Sequence, residues 1–268
     1  MQRDWWRLHV VEEKLRQINL GGTAVGTGLN ADRKYVLAAW DVLRDLTNLG
    51  LARAENMIDQ TQNADVFVEV SGLLKTAAVN LAKITADLRL LSSGPRAGFG
   101  EIALPEQQAG SSIMPGKVNP VIPEAATQAA MLAMGNDSAI AAACAAGSLE
   151  LNAFLPLIAD CLLENLDVLA RADDLLTRLC VDGIEADEAR CRAHVMNATT
   201  EATELVPRLG YEHAEEAERL AREQGKSLRE VVVELAWMSG EEFDEATSPE
   251  AICRLGSPVR KVEPAGKV

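Results

Sequence analysis

DVFVEVSGLLKTAAVNLAKITADLRLL, residues 65–91, is the stretch that decides the fold. Val66, Val70, Leu73, Leu74, Ala77, Leu81, Ile84, Leu88 and Leu91 recur at spacings of three and four on one broad face, and no proline interrupts them. This pattern predicts a single helix, ~40 Å long at 1.5 Å per residue. So long an apolar face needs partners of similar length. Two follow: an alanine-rich stretch over 125–146, and a leucine-rich one over 149–179 with Leu151, Leu155, Ile158, Leu162, Leu166, Leu169, Leu176 and Leu179 in helical register. Three such helices on one chain imply a bundle.

Composition agrees. The 268 residues are 48% hydrophobic but only 4% aromatic, an alanine- and leucine-rich mixture that favours helix over sheet. The expected class is all-α: a long-helix bundle plus a small helical C-terminal domain. Upstream, Trp6, Val10, Val11, Leu15 and Ile18 read as a helix that ends at Gly21-Gly22, and Lys34–Leu49 as another. Between them GGTAVGTGLN, residues 21–30, reads as a loop whose backbone approaches something closely; its GxG follows no strand, so it is a weak phosphate motif. Near Val181-Asp182-Gly183 the leucine pattern resets into shorter, more charged segments at 187–200, 213–224, 228–238 and 241–245. The predicted division is therefore a bundle domain over 1–182 with a long loop at 94–120, a small helical domain over 183–256, and a tail over 257–268.

The formal net charge of −14 opposes nucleic acid and anionic membrane surfaces, and no basic patch offsets it. The 125–146 stretch has the length of a membrane span but carries Gln128, Asn136 and Asp137, so it reads as a buried core helix. Five cysteines, an odd number and none in a CxxC pair, argue for a reducing cytoplasm rather than a disulfide framework. Three scattered histidines argue against a protein-built metal site, and neither metal nor cofactor is expected. The first residues lack the apolar core of a secretion signal.

The chemistry concentrates in GSSIMPGKVN, residues 110–119, where two hydroxyls, one ammonium and one amide share a glycine-containing segment. Lys117 supplies a charge-assisted hydrogen bond, while Asn119 and a serine supply neutral ones, and a helix starting near Pro120 adds N–H groups. Such a set can hold a carboxylate and stabilise the extra charge that forms when a proton leaves the carbon beside it. A serine could take that proton only if its surroundings stabilised the alkoxide. Gly110 and Gly116 would let the segment close. Pro123 near the first helical position and Glu124 in the first turn suit a helix start. On residues alone, a solvated glycine–serine loop with Lys117 as a surface charge slightly outweighs that reading.

GSSIMPGKVNPVIPE, residues 110–124, resembles the GSSxMPxKxN signature of the aspartase/fumarase superfamily. The resemblance extends to INLGGTAVGTGLN at 18–30, DLRLLSSGPRAGFGEIALPEQQAG at 87–110 and LELN at 149–152. It implies that Ser111 is the catalytic base, that Ser112 binds a substrate carboxylate, and that Lys117, Val118 and Asn119 bind the other. Glu124 matches an acidic residue paired with the family's active-site histidine. NPVIPE at 119–124 is similar to the aspartate ammonia-lyase branch, where fumarases read NPTQCE; Ala145 and Ser148 depart from the EAGQ of typical aspartases. The implied reaction is reversible elimination of ammonia from L-aspartate to give fumarate. The same resemblance implies a homotetramer with active sites shared between subunits. Superfamily members also carry an N-terminal portion with a Thr-His motif that this sequence lacks, so the chain matches a C-terminal portion. That implies an incomplete site, inactivity alone and, as one option, a separate N-terminal chain as partner. The alternatives are a fumarate hydratase or another lyase of the same mechanism, and a non-catalytic helical oligomerisation module.

Overall fold

The computed structural model describes residues 1–94, 96–108, 110, 114, 116–196 and 200–256. The chain separates into two compact units, Met1–Glu185 and Ala186–Val268.

The first unit opens with α1 (Gln2–Val11), which tightens into a 3-10 turn over Glu12–Arg16 rather than continuing as α-helix to Ile18. Strand β1 (Gln17–Ile18) then pairs in parallel with β2 (Ala52–Arg53). Between them lies α2 (Arg33–Thr47), started by the Asp32 carboxylate, which accepts from the Lys34 and Tyr35 amides at 2.7 and 3.4 Å. The short α3 (Met57–Gln62) is capped in the same way by Asn56. The 21–30 loop packs against this helix start. At Gly26 (φ +86°) a Cβ would lie 2.4 Å from the Met57 carbonyl oxygen, so the close approach expected of this loop is to the chain's own backbone.

The frame is α4 (Asp65–Leu91), α5 (Val121–Ala145) and α6 (Leu155–Leu179), running up, down and up. At one end Val70 and Leu74 of α4 meet Ile140 and Ala143 of α5 and Ile158, Cys161 and Leu162 of α6, with Val11 of α1 added. At the other end Ala78 and Leu81 face Ala126, Ala129, Ala130 and Ala133, backed by Ala172 and Leu176. Alanine at three-and-four spacing brings α5 close to both neighbours, and a larger side chain there would force the helices apart.

Two polar residues of α5, buried Asp137 and half-buried Asn136, are paired with the neighbouring helices. Asp137 accepts from Ser71 Oγ at 2.7 Å and from Lys75 Nζ at 2.5 Å, while Asn136 Nδ2 donates to Asn165 Oδ1 at 2.9 Å. These pairings fix the register of three helices whose apolar contacts alone would tolerate sliding. Among the described residues no helix is long and apolar enough to cross a membrane.

Helix α6 starts six residues later than its leucine pattern predicts. Leu149 takes a left-handed φ of +50°, Ser148 and Leu151 form an isolated bridge, and Asn152 donates to the Ala143 and Cys144 carbonyls, which ties the turn to the end of α5. Pro156 sits in the first turn, where its missing N–H costs nothing, so it begins the helix instead of kinking it.

The second unit holds α7 (Glu188–Met196), α8 (Thr200–Leu209), α9 (Tyr211–Gln224), α10 (Leu228–Glu234), α11 (Gly240–Ala246) and α12 (Pro249–Ile252). Its core gathers Leu205, Ala214, Ala217, Leu228, Val231, Val232, Met238, Phe243 and Ala246. Two capping boxes, Ser227 with Glu230 and Ser239 with Glu242, start α10 and α11. The backbone and hydroxyl hydrogen bonds from Ser227 and Ser239 hold both carboxyls below the usual range.

Candidate functional site

The 92–120 connection leaves α4 through a compact turn. Ser93 Oγ donates to the Leu90 carbonyl at 2.6 Å and accepts from the Phe99 amide at 3.1 Å, and the Glu101 amide donates to Leu91 O at 2.9 Å. At Gly98 (φ +113°) a Cβ would lie 2.7 Å from Ser93 O, so this turn requires glycine.

Beyond it the loop narrows to a neck. A Cβ on Gly110 would stand 2.2 Å from the Lys117 carbonyl oxygen, so the two backbones touch where the segment begins and ends. Gly116 has φ +78°, and no atom of the described residues lies within 4 Å of where its Cβ would stand, so there glycine answers a backbone requirement. The Lys117 amide donates to Met114 O at 3.3 Å. Ser111 and Ser112, between these two ends in sequence, lie outside the described residues.

The return limb feeds directly into α5. The Val121 amide donates to Asn119 O at 2.8 Å and that of Glu124 to Pro120 O at 3.0 Å. Helix α5 starts at Val121, so Pro123 is its third residue rather than its first. With Pro123 lacking an N–H, only the Ile122 amide of this first turn has no backbone partner among the described residues. The helix start therefore offers one free N–H, fewer than the sequence led us to expect, and ligand donors must come mainly from side chains.

Those side chains are available. Lys117 and Asn119 are half-buried, and neither makes a side-chain hydrogen bond or ion pair among the described residues. Val118 is exposed, which leaves its backbone as its polar contribution. Glu124 lies 3.8 Å from Arg89 of α4, joining the end of α4 to the start of α5. Arg89 was not singled out from sequence, and its salt-bridge partner is 35 positions away, beyond any local pattern.

Other reactive types lie outside this loop. His9 stacks on Trp5 with ring centroids 5.0 Å apart, and His213 Nδ1 lies 3.1 Å from Leu209 O. Burial pushes the Cys144, Cys161 and Cys180 thiols up, which disfavours their thiolate forms. Among the described residues no cluster of His, Cys, Asp or Glu could hold a metal ion.

Comparison with known proteins gives this geometry a context. A family model described as lyase matches residues 1–135, and one described as fumarase C C-terminus matches 202–254. The aspartate ammonia-lyase of Pseudomonas fluorescens is 47% identical over 238 residues, which is 89% of this chain and 50% of that protein. The aspartate ammonia-lyase of Bacillus subtilis is 41% identical over 256 residues, 96% of this chain and 54% of that protein. Among solved structures, a fumarate lyase:delta crystallin from Brucella melitensis, bound to cobalt, superposes with a TM-score of 0.89 at 42% identity, covering 94% of this chain and 54% of that one. A class II fumarase from Schistosoma mansoni does so with a TM-score of 0.85 at 32% identity, over 92% of this chain and 55% of that one. The chain spans about half the length of the curated relatives it matches.

Proposed function

Because this chain belongs to the lyase family, within the aspartase/fumarase superfamily, we propose that its Gly110–Asn119 segment is the catalytic loop of an aspartate ammonia-lyase. The observation that carries the proposal is the pair of half-buried, unengaged donors on Lys117 and Asn119, held just past a glycine neck that brackets two serines in sequence.

In this reading one carboxylate of L-aspartate accepts hydrogen bonds from the Lys117 ammonium and the Asn119 amide, with the Val118 backbone beside them and Ser112 on the other carboxylate. Ser111 takes a proton from the carbon next to the carboxylate held by Lys117 and Asn119. The electron pair moves into that carboxylate, giving a dianionic aci-carboxylate. Fixed donors stabilise the added charge without reorganising. The pair then returns to form the carbon–carbon double bond as the carbon–nitrogen bond breaks; the substrate's ammonium nitrogen keeps that bond's electrons and leaves as neutral ammonia, while the abstracted proton stays on Ser111. Glu124 supports the site from the first turn of α5, held by Arg89; Gly110 and Gly116 give the segment the backbone shape it needs.

The proposed assembly is a homotetramer in the cytoplasm. Met131 and Leu132 of α5 and Leu163 and Leu166 of α6 are exposed in the single chain, at 61%, 43%, 66% and 47%, and would be covered by other copies. The chain spans about half of its relatives' length, and in this reading turnover uses the polypeptide that fills the rest of a relative's length, in the same or a separate chain. The motif tail NPVIPE favours aspartate over malate as substrate.

The test is fumarate formation, followed by its ultraviolet absorbance, from a panel of L-aspartate, L-malate and argininosuccinate. The chain is assayed alone and mixed with the complementary half of an aspartate ammonia-lyase. The proposal expects fumarate from aspartate in the mixture; fumarate from malate alone would instead assign a hydratase.

A further inference from the structure

The outgoing limb of the loop is fastened to the end of α6, at the same end of the bundle, by two contacts. Gln107 Nε2 donates to the carbonyl oxygen of Leu179 at 3.1 Å. Leu179 is the last residue of α6, so this carbonyl is one of those a helix end leaves without an internal partner. Two residues before Gln107, the Pro105 ring presses on Gly183 in the 3-10 turn that follows α6. A Cβ at Gly183 would lie 2.6 Å from Pro105 Cγ, closer than side chains pack. Gly183 has no positive φ, so glycine is required here by the approach of Pro105 and not by the backbone. The return limb reaches the same place: one narrow cleft is lined by Leu104, Pro105 and Gln107 together with Asn119, Pro120 and Cys180. Cys180 belongs to the buried core, so the floor of the cleft is part of that core.

We propose that Gln107 and Gly183 are positioning residues: together they latch the outgoing limb to the end of α6 and so fix where Lys117 and Asn119 stand. The functional meaning rests on the lyase reading above; the latch itself does not. Its geometry explains how a loop of this length can present two donors at a defined place. The outgoing limb is held at Gln107 and Pro105, the return limb enters α5 at Val121, and the neck at Gly110 and Lys117 joins the two.

Amide hydrogen exchange of the full chain tests this without requiring turnover. Gln107→Met keeps the length of the side chain and removes the donor, Gln107→Lys restores a donor suited to a helix C-terminus, and Gly183→Ala pushes Pro105 away. In the Met and Ala variants, amides at 104–108 and 116–119 should exchange about 2- to 10-fold faster, the scale of one ordinary hydrogen bond. Core amides of α4–α6 should be unchanged, and the Lys variant should regain native protection. Native exchange at both limbs in the Met variant would overturn the latch. So would acceleration spread through the bundle core, or failure of lysine to restore protection. Absence of aspartate turnover in the native, complemented protein would count against the lyase reading and leave this exchange result to stand or fall separately.

Discussion

Gly110→Ala is the sharpest perturbation the loop offers. The added methyl would sit 2.2 Å from the Lys117 carbonyl oxygen, whereas ordinary contact begins near 3.4 Å, so the neck must open by the difference, 3.4 − 2.2 = 1.2 Å. The obstacle is backbone, which cannot rotate away as the end of a side chain could. Gly110 is exposed and lies outside all three core clusters, so the displacement should leave global stability nearly untouched. Its effect should fall on Lys117 and Asn119, the donors that must meet a carboxylate. Misplacing catalytic groups by about 1 Å costs on the order of 100-fold in rate. The expected outcome is a loss of about that size in kcat/KM for aspartate in the complemented protein, with a melting temperature within a degree or so of native. A variant that keeps kcat/KM within about twofold would refute the neck as a positioning element, and one that loses activity only by unfolding would refute its independence from the core.

Three further expectations concern the frame. Ile140→Ala removes a fully buried side chain from the junction of α4, α5 and α6 and should destabilise the first unit by about 2–5 kcal/mol in chemical denaturation. Asn165→Ala removes one of the two acceptors of the Asn136 amide, which keeps Glu164, and should cost about 0.5–1.5 kcal/mol, the net worth of one hydrogen bond; a neutral result would show that this pair does not set the bundle register. Glu201 is buried at the start of α8, and burial pushes its carboxyl above the usual range. A carboxyl raised in the folded state contributes stability that is present below its unfolded pKa and is lost as pH rises through the folded one. Glu201→Gln should therefore raise the melting temperature of the second unit near neutral pH, with the gain over native shrinking as the solution is acidified, and a pH-independent difference would contradict the assignment.

Much of this architecture was legible in the sequence, and what was not has local causes. Helix α4 matches its predicted span of 65–91 because nothing competes with an uninterrupted helical period. Helix α6 was predicted too long because Leu149 and Leu151 fall in its register, yet Asn152 satisfies the end of α5 and holds them in a turn. Helix α1 was predicted to run to Ile18, but the chain must extend at Gln17 to pair with β2, a demand set by residues more than thirty positions away. Helices α3, α8 and α12 escaped notice: α3 and α12 are too short to show a period, and α8 carries Pro207 in its interior. At the candidate site, residue types were readable but their supports were not. Lys117, Asn119 and Glu124 stand out by chemistry, whereas Arg89, Gln107 and Gly183 matter only through contacts that the folded chain creates.

The central claim is that the Gly110–Asn119 segment carries the base and the carboxylate donors of an aspartate ammonia-lyase. Its most direct test is fumarate release from L-aspartate by the complemented protein, compared between the native sequence and Ser111→Ala. The account predicts turnover in the first and its near-complete loss in the second, with both proteins folded and assembled alike. Full activity in Ser111→Ala would contradict it.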